Sequence, residues 1–161
     1  MNLALIFRTH AHWTTGFSYK AAMDTLMIPY THFDNNDLFQ GKKSLSGYDR
    51  ALVIDDGFGV QAIPGLPKDA VFVGIDYHNG FQEHYEKNLG QFRKLYAAQL
   101  SLGVRLLEKH GFKAQWLPLA WDNVQMPWIK LERNIPVTFV ASWSTKRRKQ
   151  LKALTEDMGG F

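Results

Sequence analysis

The chain has 161 residues, which is one domain's worth of protein and enough to bury roughly 70% of the surface that the unfolded chain would expose. Hydrophobic residues make up 45% and charged residues 21% of it, proportions typical of a globular core. No apolar run approaches the ~20 residues of a transmembrane helix, and the first residues lack a signal-peptide pattern. The absence of cysteine excludes a disulfide framework, a thiolate metal site and a cysteine nucleophile. We therefore expect a soluble, cytoplasmic protein.

The formal net charge of +4 is concentrated in one segment near the C-terminus. The rest of the chain holds 14 basic and 15 acidic side chains, whereas a nucleic-acid-binding protein usually spreads its cations over a whole face. A solvated helix face is the ordinary interpretation of such a run, and contact with phosphate or nucleic acid is the alternative. The basic residues of this segment are Lys146, Arg147, Arg148, Lys149 and Lys152.

Short apolar runs rich in β-branched and aromatic residues recur along the chain, at residues 3–7, 28–32, 51–54, 70–75, 94–98, 114–117 and 137–141. Runs without polar alternation are typical of strands that are buried on both faces of a parallel sheet. Helical patterns lie between them at 19–27 and at 100–110, where Gly111 supplies a C-terminal stop. The sequence therefore predicts an α/β fold: a doubly wound, mostly parallel, Rossmann-like sheet of about six strands with helices on both faces.

A domain boundary is predicted where Pro118, Pro127 and Pro136 interrupt the pattern. Residues 1–133 would form the Rossmann-like domain, and residues 134–161 the truncated start of a second domain or a C-terminal appendage. Leu151 and Leu154 in the last segment need burial. We expect residues 136–158 to pack back on the first domain or to mediate a homodimer.

Polar residues follow most of the predicted strands, at 9–16, 55–57, 76–80 and 121–122. In doubly wound folds ligands bind beyond the carboxyl ends of the strands, so these segments are the place to look for chemistry. The loop at 9–16 stands where a phosphate-binding loop would, but it holds a single glycine, Gly16, where the dinucleotide fingerprint needs three.

Asp76 and His78 are the strongest candidates for acid–base chemistry. They lie two positions apart, so in a continuing strand the carboxylate would orient the imidazole and raise its basicity. Aspartate is also a preferred helix N-cap, and a capping Asp76 beside a solvated His78 is the plainer interpretation.

Other candidates lie at the ends of the first and third strands. His10 and His12 share the same spacing and could join Asp76 in a metal site, but two loop histidines tell little without a third ligand, so no metal is predicted. Asp55 opens an Asp-Asp-Gly sequence that is more often a turn than a metal site.

Four segments in order carry a family resemblance: Val-Phe-Val-Gly-Ile-Asp-Tyr-His at 71–78, a strand ending Ala-Gln at 98–99, a helix ending His-Gly at 110–111, and Leu-Pro-Leu-Ala-Trp-Asp at 117–122. Over roughly residues 68–155 the chain resembles bacterial GT-B glycosyltransferases of the spore-maturation-protein-like group. It departs from them at Trp121, where a small residue is common, and at Ala141 and Ser142, where glycine is usual.

The resemblance implies an acceptor-side domain that transfers sugar from a nucleotide sugar when a donor-binding half completes it. His78, oriented by Asp76, would be the general base, with His12 as its substitute. The nucleotide sugar would be a co-substrate rather than a tightly bound cofactor, and a second chain or a further domain would supply the donor site. Whether the chain is itself an enzyme stays open. The residues lining the acceptor cleft would be His10, Trp13, Asp55 and Asp122.

A binding protein is the alternative interpretation. Such a protein would keep the Rossmann-like fold without catalysis and would contact nucleic acid or a protein partner through the basic segment 146–152.

Overall fold

The computed structural model describes residues 2–9, 15–55, 61–75 and 83–118. All of them belong to the first of the two units into which the chain divides, Met1–Met126. The predicted boundary at 133/134, the strand at 137–141 and the segment 136–158 with Leu151 and Leu154 lie outside the described residues.

Six strands form one sheet in the order β2-β1-β3-β4-β5-β6, and every neighbouring pair is parallel. The predicted fold class, a doubly wound Rossmann-like α/β sheet, is confirmed. The strands are β1 (Leu3–Ile6), β2 (Thr31–Phe33), β3 (Arg50–Asp55), β4 (Asp69–Gly74), β5 (Lys94–Ala97) and β6 (Ala114–Trp116).

Helices cover both faces of this sheet because strand residues alternate between them. On one face Ala4, Ile6 and Phe72 are buried beneath three helices. On the other face Leu5 and Phe7 are buried beneath a single described helix, α1. The helices are α1 (Thr15–Thr25), α2 (Asn35–Phe39), a 3-10 helix (Glu83–Gln91) and α3 (Leu100–His110), of which the last three share the first face.

The end of α3 follows its sequence signal. Gly111 takes a left-handed conformation (φ 71°), and its N–H donates to the carbonyl of Leu107, while the N–H of Phe112 donates to that of Leu106. Glycine adopts this conformation without steric cost, so the helix stops where the sequence predicts. Leu102 and Leu106 are buried, whereas Leu107 is half exposed.

Two parts of the N-terminal third differ from the sequence prediction. The helix predicted at 19–27 begins at Thr15, and the strand predicted at 28–32 begins at Thr31, because Leu26 and Met27 form the turn after α1 and residues 28–30 lead from that turn into the strand. Helix α2 is not among the predicted helices; it forms because the carboxylate of Asp34 accepts a hydrogen bond from the N–H of Asn36 and caps it.

A buried ion-pair cluster joins the 3-10 helix to α3. Glu86 is fully buried, with Oε1 at 2.7 Å from Nη2 of Arg105 and Oε2 at 3.0 Å from Nε2 of His110. The ring of Phe112 stacks on that of His110 with centroids 5.6 Å apart. Because a buried carboxylate needs partners to offset its lost hydration, this cluster fixes how the two helices pack.

Within the described ranges there is no helix long and apolar enough to cross a membrane.

Candidate functional site

The sheet order places the candidate site at the carboxyl ends of β1 and β3. From β1 the chain passes to β2 on one side, and from β3 onward it adds strands on the other side. Connections therefore diverge between β1 and β3, which is where ligands bind in open α/β sheets. The described residues at this edge include Thr9 after β1, Asp34 after β2, Asp55 at the end of β3 and Ile75 after β4.

Asp34 ties the chain leaving β1 to the chain leaving β2. Its Oδ2 accepts hydrogen bonds from the backbone N–H of Thr9 at 2.8 Å and from the Thr9 hydroxyl at 2.5 Å. Its Oδ1 accepts from the N–H of Asn36 at 2.8 Å. Burial on its own raises the pKa of Asp34, but these hydrogen bonds outweigh it and the pKa lies below its usual value. With three donors in place, Asp34 is an anionic anchor for the loop rather than a proton acceptor.

The same loop is held at its other end by a close helix–strand contact. Gly16, in the first turn of α1, is buried against the ring of Phe7, which follows β1. A Cβ at residue 16 would lie 2.1 Å from Cγ of Phe7, so no larger residue fits without movement. The structure thus holds both ends of the segment 10–14 at the divergence point, although the segment itself lies outside the described residues.

His32 lies beside this corner on β2. It pairs in register with Leu5 and its ring lies against that of Phe7, with centroids 4.2 Å apart. Burial lowers the pKa of His32, and this effect exceeds the opposing influence of the Phe7 backbone and of Asp34. The imidazole is therefore neutral at pH 7, and it packs as an aromatic ring at the base of the loop.

Among the residues predicted for the site, only Asp55 is placed. It is the last residue of β3, pairs in register with Gly74 and so lies at the carboxyl edge, as predicted. Ile75, which precedes Asp76 in the sequence, is buried at the same edge. That Asp55 lines an acceptor cleft together with His10, Trp13 and Asp122 stays a prediction. The other candidates lie outside the described residues: His10, His12, Trp13, Asp76, His78, Asp122, Lys146, Arg147, Arg148, Lys149 and Lys152.

Sequence reasoning missed three residues at this corner. Asp34 was hidden in an Asp-Asn-Asn-Asp stretch that is typical of a loop, although aspartate before a short helix is also an N-cap signal. His32 is the last residue of the apolar run at 28–32, and nothing in that run predicts its contact with the ring of Phe7. Arg8 directly follows the buried run of β1 and is a half-buried basic residue at the carboxyl edge of the sheet.

No metal centre is evident in what the structure describes. Among residues 2–9, 15–55, 61–75 and 83–118, no three histidine, cysteine, aspartate or glutamate residues are close enough to bind an ion together. Within the described part of this edge, Asp34 and Gly16 hold the two ends of the segment 10–14, and Arg8 adds a half-buried basic residue.

Comparisons with protein-family models, with curated proteins and with solved structures find no match to this chain.

Proposed function

We propose that the chain is the acceptor-side domain of a GT-B-type glycosyltransferase, with its acceptor cleft at the carboxyl ends of β1 and β3. The observation that supports this most is the parallel sheet, whose connections diverge between β1 and β3. The polar loop at 9–16 begins at that point, held by Asp34 at Thr9 and by Phe7 at Gly16.

In the proposed reaction an acceptor hydroxyl attacks the anomeric carbon of a nucleotide sugar. The new bond joins the acceptor oxygen to that carbon, the bond from the carbon to the phosphate oxygen breaks, and a nucleoside diphosphate leaves. His78, oriented by Asp76, would take the hydroxyl proton, and His12 is the substitute base. His10, Trp13, Asp55 and Asp122 would bind the acceptor.

The cation of Arg8 fits this proposal on electrostatic grounds. Negative charge develops on the leaving phosphate in such a transfer, and a fixed cation near the cleft favours it. Arg8 is half-buried where β1 ends, so its charge is screened less than that of a fully exposed side chain.

The test supplies a donor-binding half of a GT-B enzyme as a second chain and measures nucleoside diphosphate released from a panel of nucleotide sugars, with mixed mono- and disaccharides as acceptors. We expect release that depends on the acceptor, and a roughly 10²–10⁴-fold loss in His78→Ala, the typical contribution of a general base. His84→Ala is the matched control, since it removes a nearby histidine at the start of the 3-10 helix. The melting temperature of His78→Ala should stay close to that of the parent protein.

Two results would overturn the proposal. The first is an absence of both diphosphate release and saccharide binding, the latter measured by saturation-transfer NMR. The second is full activity of His78→Ala, which would remove the catalytic assignment. Saturable binding of labelled duplex DNA that is lost when residues 146–149 are replaced by glutamine would instead identify a nucleic-acid-binding protein.

A further inference from the structure

A second cleft lies at the opposite end of the sheet, where the strands begin. It has a volume of about 370 Å³ and is formed by the amino ends of four neighbouring strands, β1, β3, β4 and β5. The strand register explains its composition, because it brings two rows of side chains together. One row holds Leu3, Arg50 and Asp69, and the next holds Leu52, Val71 and Lys94.

The apolar side chains of the cleft lie on the sheet face that carries α1. Leu52 packs with the cluster beneath α1, and both Leu52 and Val71 keep part of their surface exposed. The other three described helices pack on the opposite face of the sheet. The amino-terminal part of this face therefore offers an apolar floor that no described helix covers.

The rim of the cleft is positively charged. Three basic side chains, Arg50, Arg93 and Lys94, line the cleft together with one carboxylate, Asp69, so the four side chains carry a net charge of +2. Nε of Arg50 lies 2.8 Å from Oδ2 of Asp69, and Nη1 of Arg93 contacts the other oxygen. Each guanidinium uses one nitrogen in these contacts and keeps further N–H donors for a ligand. Lys94 is exposed and makes no ion pair within the described residues.

We propose that this cleft binds a small phosphate monoester, with its phosphate against Arg50, Arg93 and Lys94 and its organic part against Leu3, Leu52 and Val71. The charges match, since a phosphate monoester carries about −2 at pH 7 against +2 in the cleft. Arginine forks match phosphate oxygens geometrically, and Asp69 holds two of them in place. The volume lies at the small end of ligand pockets, so the organic part has the size of a single ring. This site is independent of the proposed transferase activity.

The test uses the full chain, titrated with phenyl phosphate and followed by amide NMR. We expect saturable shifts at Arg50, Asp69 and Lys94, with inorganic phosphate binding about tenfold more weakly because it lacks the apolar part. The variant Arg93→Gln with Lys94→Gln should weaken phenyl phosphate binding by at least about tenfold. Lys87→Gln, which removes an exposed cation from the 3-10 helix, is the matched control and should bind as the parent does.

The single variant Lys94→Gln separates binding from folding. Its side chain is exposed and the contacts of Asp69 with both arginines stay intact. Weaker phenyl phosphate binding in this variant therefore does not come from a folding defect. Amide shifts confined to the carboxyl ends of the strands would refute the site. An equal weakening of phenyl phosphate binding in Lys87→Gln would refute it too. A glutamate-rich peptide that displaces phenyl phosphate and binds more tightly would identify a protein-docking surface and would also overturn the proposal.

Discussion

Gly16 and Phe7 are in contact where helix α1 meets the end of strand β1, and the contact leaves no room for a side chain on the helix. A Cβ at residue 16 would come within 2.6 Å of three carbon atoms of the Phe7 side chain, Cβ, Cγ and Cδ2. Phe7 cannot easily move, because it is buried and its ring also lies edge-on to that of Phe17, with centroids 5.2 Å apart. The residue type at position 16 thus sets how closely α1 approaches the sheet.

We expect Gly16→Ala to lower the free energy of unfolding by about 1–3 kcal/mol, because the added methyl group must displace Phe7 or the start of α1. Gly103→Ala is the matched control. Residue 103 lies within α3, and a Cβ there would come no closer than 3.8 Å to its nearest neighbour. That substitution should stabilise the protein by up to ~1 kcal/mol through helix propensity. Urea unfolding of both variants measures the two changes in the free energy of unfolding. Equal changes at positions 16 and 103 would contradict the close contact of Gly16 with Phe7.

The Asp34 anchor should be worth about 1–2 kcal/mol at neutral pH, the usual range for an N-cap with further hydrogen bonds. Asp34→Ala removes all three contacts, whereas Thr9→Val removes only the hydroxyl and should cost less. Urea denaturation of the two variants measures the difference. An equal loss in both would show that the hydroxyl of Thr9 carries the whole effect.

Asp34 should also make the protein sensitive to acid. Its pKa is lowered in the folded state, so its stabilisation is fully present above about pH 4 and is lost as the pH falls through the folded-state value. Asp34→Asn cannot ionise and should show a smaller loss of unfolding free energy between pH 7 and about pH 3. The comparison is made by urea titrations at the two pH values, and parallel losses in the two proteins would refute this contribution.

His32 should contribute a second pH dependence at a higher pH. Burial lowers the pKa of its imidazole, so below about pH 6.5 the unfolded chain binds more protons at this residue than the folded protein does. Stability is therefore lost as the pH falls from about 6.5 through the folded-state value. His32→Phe should flatten the unfolding free energy between about pH 7.5 and about pH 5.5. NMR titration of the His32 ring checks the cause, and a value at or above 6.5 would contradict it.

The Glu86 cluster provides a test of the packing between the 3-10 helix and α3. Glu86→Leu leaves the half-buried cation of Arg105 without its carboxylate and should cost about 3–5 kcal/mol. The double variant Glu86→Leu with Arg105→Leu should cost clearly less than the sum of the single changes, because the pair is coupled. Additive losses in a urea-denaturation double-mutant cycle would exclude that coupling.

The fold class could be predicted from the sequence because strands that are buried on both faces of a parallel sheet consist of apolar runs without polar alternation. The run at 70–75 contains no polar residue, and β4 lies at Asp69–Gly74 in the middle of the sheet. Single contacts between residues that are far apart in the sequence leave no such pattern and could not be predicted. The hydrogen bonds of Asp34 join residues 25 positions apart, and nothing in the local sequence specifies Thr9 as the partner.

For the candidate site, the sequence predicted the correct end of the sheet for Asp55 because strand polarity follows from the chain order. The contacts of His32 and Gly16 with Phe7 depend instead on how closely the layers approach. That distance is set by packing and not by periodicity.

The separation of paired residues along the chain also affects the loop entropy that each strand pair costs to form. Asn2 and Asp49, 47 residues apart, join the starts of β1 and β3, whereas Asp69 and Arg93, 24 residues apart, join β4 and β5. Doubling the length of a closed loop costs about 0.6 kcal/mol more entropy, so the β1–β3 pair costs more loop entropy to form than the β4–β5 pair. Contacts between β1 and β3 should therefore show lower φ-values than contacts between β4 and β5.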